Sequence, residues 1–229
     1  MPTQPDWMDA IEHEARALVA WVDIGGEARS FFDGSISAER YAANLVQIYH
    51  YVRWSTSLLE QAGQGLKRLG RHPHLAELLL KKAGEENGHE RWLLADLANL
   101  GWTRDQVESI PPCAAVTAYL AWNRFTGDSG SPAAFLGTAY VLEYLSVHRA
   151  EVAMENLIAR GTIPNIRKAV TFLRGHAGED VDHVAELAKV LRSLTDPEEQ
   201  EALILSARTT RVFFQGIFST PEVPVRNGE

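Results

Sequence analysis

The segment 172–191 places ionisable side chains on a stripe that a helix would bury. Phe172, Leu173, Leu187, Val190 and Leu191 repeat at helical spacing. At about 100° per residue His176, Asp180 and His183 fall on one stripe, and Leu187 continues it. Two imidazoles and a carboxylate on a core-facing stripe are costly to bury unless something charged or hydrogen-bonding receives them. A metal ion is such a receiver, so a fold for this chain has to bring further ligands to that helix.

The rest of the sequence reads as helix. Alternating β-branched runs with hairpin turns are nearly absent. Helical spacing predicts one helix over 6–23, stopped by Gly25-Gly26. A second runs from an N-cap at Ser37 to about Leu66, and a third from Pro73, well placed in a first turn, to Gly101. After Pro111-Pro112 a helix is expected over 114–125, then a long one from Pro132 to near Gly161. The helix with the polar stripe lies between Pro164 and about Ser193, with a kink expected near Gly175 or Gly178. A last helix starts at Thr195-Asp196-Pro197-Glu198 and carries Val212, Phe213, Phe214, Ile217 and Phe218. That aromatic cluster suits the core or the interface of a homodimer. The expectation is an all-α bundle of about seven or eight helices, a single metal-binding domain over 1–220, and a loose tail over 221–229.

Composition sets bounds on partners. A chain of 229 residues, 45% hydrophobic and 23% charged, can bury a sizeable core. A net charge of −8 argues against a nucleic-acid surface. No apolar run approaches the roughly 18 to 20 residues of a membrane span. The first residues lack the basic-then-apolar order of a signal peptide, so a cytoplasmic location is expected. Cys113 has no second cysteine with which to form an internal disulfide.

Two other helices offer ligands. In the third helix Leu75, Leu79, Ala83, Leu93 and Leu97 define the buried face, with Glu86 in its middle and His89 one turn on. Glu85 sits nearer the edge, and Glu90 also leans inward. The Glu-x-x-His spacing lets a carboxylate and an imidazole reach one ion. The helix from Pro132 carries Leu136, Tyr140, Val147, Met154 and Ile158 on its inner stripe, with Glu143 within it and Glu151 two turns later. Buried glutamates are rare without a partner. Glu86, His89, Glu143, His176, Asp180 and His183 are therefore the expected metal ligands; the bland alternative is a salt-bridged polar network. Three imidazoles with three carboxylates and no thiolate suit iron or manganese. On packed helices such a set fits two ferrous ions that activate dioxygen. His13, His72, His74 and His148 are expected to be exposed or capping.

Taken in order, Glu85-Glu86-Asn87-Gly88-His89 with Asp96-Leu97 and Leu100-Gly101, then Ala139-Tyr140-Val141-Leu142-Glu143, then His176-x3-Asp180-x2-His183, resemble the haem-oxygenase-like di-iron oxidases, or iron-containing redox enzymes. The intervals of 54 residues from His89 to Glu143 and 33 from Glu143 to His176 suit that family. The resemblance covers about residues 30–195. It implies a seven-helix fold of haem-oxygenase type, two Fe(II) ions bridged by a glutamate, and dioxygen as co-substrate. A peroxo-diferric species would then act on a small organic substrate, amino-acid-derived or fatty-acid-like.

There is one departure from the family pattern. Many members, among them the alkene-forming fatty-acid decarboxylase, carry another glutamate on the second long helix, where this chain has Arg53. Members similar to 4-aminobenzoate synthase also have a basic residue there. His50 is either a substitute ligand or a polar residue at a cavity or helix interface. Arg53 offers a planar fork to a substrate carboxylate or phosphate. Tyr49, Tyr51, Trp54, Tyr140 and Tyr144 are candidate cavity walls. Three rival readings stand beside this one. A haem oxygenase would take an early histidine, His13, as haem ligand. A cofactor-free relative on the same fold would not need the six ligands. A non-enzymatic helical interaction protein would use its buried polar groups for specificity and bind no metal.

Overall fold

Pro, Gly and short polar side chains break the chain into helices, and the apolar stripes between those breaks drive the packing. A computed structural model describes residues 6–128, 131–177 and 181–219, without the side chains of 181–183 and 219. The described residues form α1 (Trp7–Ile24), α2 (Gly26–Phe32), α3 (Ala38–Val52), α4 (Ser55–Leu69), α5 (Pro73–Glu85), α6 (Glu90–Asn99) and α7 (Arg104–Ser109). They continue with α8 (Ala114–Asp128), α9 (Phe135–Arg160), α10 (Thr171–Ala177), α11 (Val181–Leu191) and α12 (Pro197–Ser219). Short 3-10 turns precede α9 and α10. No strand occurs among the described residues. The expected all-α architecture is present, and the residues 221–229 of the expected tail lie outside the described ones.

Local chemistry accounts for most boundaries. The Ser37 side chain accepts from the Arg40 N–H at the start of α3, and Pro73 opens α5. Gly161 closes α9 in the left-handed conformation. The Asp196 carboxylate accepts from the Glu198 N–H and starts α12. A reciprocal Thr103–Gln106 capping box builds α7, an element the apolar spacing did not announce.

Two of the long helices expected from spacing are broken at described residues. The second run turns at Arg53-Trp54, so it becomes α3 and α4. The third is interrupted over 86–89, where Gly88 takes φ +97°, a left-handed conformation that other residues rarely adopt. The helix with the polar stripe is described as α10 and α11 on either side of residues 178–180; these lie outside the described ones, and with them Gly178 of the kink expected near Gly175 or Gly178. Joined across these breaks, and across Gly25 between α1 and α2, the segments form about eight runs.

Helix α9 runs through the centre, packed by α1, α2, α10, α11 and α12. α4 packs on α5 and α8, while α3 packs on α6 and α8. Fully buried Leu75, Leu79, Leu93 and Leu97 seat α5 and α6, each worth about 2 kcal/mol of transfer free energy. Phe214, Ile217 and Phe218 are buried, so most of the aromatic cluster on α12 belongs to the core, while Val212 is exposed. Among the described residues no helix is long and apolar enough to cross a membrane.

Candidate metal centre

Inside the bundle lies a cavity of about 160 Å³. Its walls are mostly apolar, with Phe31, Phe32, Phe135, Phe172, Phe214 and Phe218 among them. Its charged and imidazole groups are Lys82 and Glu86 from the end of α5, Glu143 from α9 and His176 from α10, beside the hydroxyl residues Tyr51, Ser55, Tyr119, Thr138 and Ser146. Such a chamber, apolar with a few convergent polar groups, is the usual form of a small-molecule site.

Ligand atoms of Glu86, His89 and His176 all lie within 4.8 Å of one another. Hydrogen bonds and ring contacts orient the three side chains. Glu86 accepts a hydrogen bond from Nδ1 of His89 at 3.1 Å. Nδ1 of His176 donates to the Phe172 carbonyl oxygen at 2.8 Å. With both Nδ1 atoms donating, Nε2 of each imidazole, once neutral, carries the lone pair that a metal needs. The imidazole of His89 stacks on Trp92 with centroids 4.1 Å apart, and its edge meets His176 at 5.1 Å. Phe172 packs against His176 at 4.3 Å. Gly175 permits this closeness, because a Cβ there would sit 2.4 Å from the Trp92 ring.

Helix α10 is itself anchored by α6. The buried Asp96 carboxylate accepts from the Thr171 and Phe172 N–H groups at 2.8 and 2.9 Å, capping α10 from a distant part of the chain. Burial pushes the Asp96 carboxyl above its ordinary value, against the pull of those hydrogen bonds. Tyr41 adds a hydrogen bond from its hydroxyl to the Ala169 carbonyl at 2.7 Å.

Electrostatics favour an ionised carboxylate in the group. Burial pushes Glu86 up, but the hydrogen bond from His89 and the charges of His89, His176 and Lys82 outweigh it and hold the carboxyl below its usual value. Lys82 pairs with Glu143 across the cavity from α5 to α9. Tyr51 and Tyr119 line the cavity with ring centroids 5.4 Å apart. Burial, then the Glu86 charge, raises the Tyr51 phenol well above its ordinary value. Burial, Tyr51 and Glu86 do the same to Tyr119.

The sequence-derived candidates fall into three groups. Glu86, His89 and His176 come together, and Glu143 borders the same cavity beside Lys82. Asp180 and the side chain of His183 lie outside the described residues. His50 and Arg53 are elsewhere. Nε2 of His50 donates to the Ile110 carbonyl at 2.7 Å on another side of α3, which makes it a buried interhelix polar residue. Burial and Arg53 lower its pKa against that bond. Arg53 is exposed at the α3–α4 break, its guanidinium over the rings of Tyr49 and Trp54. The α3 residues that border the cavity are Ile48, Tyr51 and Val52, so Tyr51 stands where Arg53 was expected to matter. Among the aromatic wall candidates Tyr51 alone lines the cavity.

Neighbouring acidic residues sort by burial. Glu85 is exposed and pairs with Lys81, Glu90 lies beside Arg91, and Glu151 is exposed. His13, His74 and His148 are exposed, as expected, and His72 is half-buried against Glu199. Lys82 was missed, although its signal was available. Leu75, Leu79, Lys82 and Glu86 follow one another on a single helical stripe.

The family described as iron-containing redox enzyme matches residues 42–214. The chain belongs to that family. The matched span contains Glu86, Glu143 and His176, which border the cavity, and His89 beside Glu86 and His176. No curated protein matches the chain. Solved structures share its fold. A domain of unknown function with a haem-oxygenase-like fold from Shewanella denitrificans superposes with a TM-score of 0.79 at 19% identity, covering 94% of this chain and 91% of that one. A TenA homologue from P. horikoshii gives 0.73 at 16% identity over 94% and 97%. A CADD-like protein of unknown function from Nostoc punctiforme gives 0.66 at 19% identity over 92% and 96%. The fold is thus haem-oxygenase-like, as the motif order implied.

Proposed function

We propose that this member of the iron-containing redox enzymes uses iron and dioxygen to oxidise a small organic substrate. One observation carries the reading: a carboxylate and two imidazoles converge at the edge of a mostly apolar chamber. A two-histidine, one-carboxylate set is the donor chemistry of non-haem ferrous sites. Glu86, His89 and His176 would hold one ion. Glu143, with Asp180 and His183 from the sequence pattern, would supply ligands for a second. Bound ferrous iron supplies the redox chemistry with dioxygen that side chains lack.

The chain's own groups have definable tasks in that reading. The Phe172 carbonyl fixes the tautomer and ring angle of His176; the Glu86 carboxylate fixes the tautomer of His89, and Trp92 its ring plane. Glu86 stays ionised, so it can receive a cation without first losing a proton. Tyr51 and Tyr119 stay protonated at neutral pH and present phenol hydroxyls as donors on the chamber wall. The phenylalanine walls exclude water and receive the apolar body of a substrate. A volume of about 160 Å³ is close to that of an engineered cavity that admits benzene, about 150 Å³. That scale fits an amino-acid-derived ring or part of a fatty-acid-like chain. The haem reading gains little support, because its candidate ligand His13 is exposed and does not border the chamber.

Anaerobic loading with ferrous iron, followed by desalting and elemental analysis, tests the assignment. The parent is expected to retain iron and His176→Ala to lose most of it. Equal retention by the two proteins would show that the assignment is wrong.

A further inference from the structure

A lysine in this chamber is unexpected beside a set of metal ligands. Lys82 lies four residues before Glu86 on α5 and faces the same chamber. Its ammonium pairs with Glu143 on α9, and both side chains are only 18% exposed. Its charge also reaches Glu86 and helps to hold that carboxylate ionised. One cation thus serves the two chamber carboxylates, from α5, the helix that Glu86 ends, across to α9. An ammonium offers three donors and no acceptor, so it cannot itself ligate a metal.

From this geometry we infer that Lys82 stands in for the second metal cation. The chain binds one ion firmly at Glu86, His89 and His176, and it admits a second only when the ammonium leaves Glu143. The inference rests on the proposed metal reading and goes beyond it, because it assigns a residue that sets how many ions are held. The charge balance explains why. A second dication would compete with Lys82 for the Glu143 carboxylate and would sit beside a positive charge in a poorly hydrated chamber. With Lys82 in place the chamber carboxylates are partly neutralised before any metal arrives, which also limits their mutual repulsion in the apoprotein.

The test is anaerobic titration of the full chain with Mn(II) and with Fe(II), read by calorimetry, by elemental analysis after desalting, and by loss of the Mn(II) paramagnetic signal when two ions couple. The parent is expected to retain one equivalent. Lys82→Met, which keeps the length and removes the charge, is expected to retain two, with second-ion affinity higher by about 10- to 100-fold. Lys82→Arg should stay at one. Adding Glu143→Gln to Lys82→Met should remove the second equivalent. Lys82→Gln replaces the methionine variant if circular dichroism shows that one to be unfolded. Two equally tight equivalents in both parent and Lys82→Met overturn the role of Lys82 and leave the metal reading intact. One equivalent in Lys82→Met does the same. No retained ion in either protein overturns the metal reading itself, and the inference with it.

Discussion

Gly175→Ala probes the packing that aims the two imidazoles. An added Cβ would lie 2.4 Å from Cζ3 of Trp92 and 2.9 Å from Cε3 and Cη2, where ordinary contact begins at 3.4 Å. The indole or α10 must therefore move by about 1 Å. Neither is free to do so independently of the site, since Trp92 stacks on His89 and α10 is tied to Asp96. Overpacking of this kind costs about 1 to 3 kcal/mol. Replacing a helical glycine by alanine returns about 1 kcal/mol, so the net loss is about 0 to 2 kcal/mol and the shift in Tm only a few degrees. Metal affinity should suffer more, by about 10- to 100-fold, because the displaced ring is the outer support of a ligand. Gly84→Ala is the control: its Cβ would meet nothing within 4 Å, so it should leave affinity unchanged. Thermal unfolding and Mn(II) titration of both variants decide the matter. A Gly175→Ala protein stabilised like the control, with parental affinity, would refute the argument.

Two further outcomes follow from buried carboxylates. Asp96→Ala strips the acceptor from the Thr171 and Phe172 N–H groups and should cost about 3 kcal/mol in chemical denaturation; Asp96→Asn, which keeps one acceptor, should lose less. Glu14 bridges α1 to Arg208 and Arg211 of α12. Burial pushes its carboxyl up, but the bonds and charges of Arg211 and Arg208 outweigh that and hold it below 4.5. The unfolded chain therefore binds this proton more readily, so the stability Glu14 contributes is present above pH 4.5 and is lost as pH falls through its folded value. Denaturant midpoints measured from pH 6 to pH 3 should fall less steeply for Glu14→Gln than for the parent.

Some of the site was legible because buried charge breaks a helical pattern. Glu86 and His176 interrupt apolar stripes, and no propensity argument excuses them. Lys82 sits on the same stripe as Leu75 and Leu79, but a lysine is usually read as a solvated stem with its head in water. Its burial becomes visible only when Glu143 arrives from α9. Arg53 was harder. It continues the face of Tyr49, its N–H donating to the Tyr49 carbonyl at 3.1 Å and its guanidinium lying over that ring. This face looks to Glu108, while Ile48, Tyr51 and Val52 border the chamber before the chain turns at 53–54. The turn has no glycine or proline to announce it. Periodicity gives the face of a residue only while the helix persists.

The break over 86–89 explains how Glu86 and His89 come to share a site at all. On one straight helix, α5 and α6 would have to pack against the same neighbours. With Gly88 in a left-handed turn, α5 packs on α4 while α6 packs on α3 and α10. Glu86 then ends the first unit and His89 caps the second, so each is positioned by a different part of the core. His176 joins them from α10, which α6 holds through Asp96. Glu143 comes from the central helix α9, against which α10 also packs. The four groups are thus set by separate packing contacts that meet at the chamber. A side chain at such a joint has its direction fixed from both sides, which a side chain in mid-helix does not. An apolar bundle can in this way hold several charged groups in place without a loop long enough to be mobile.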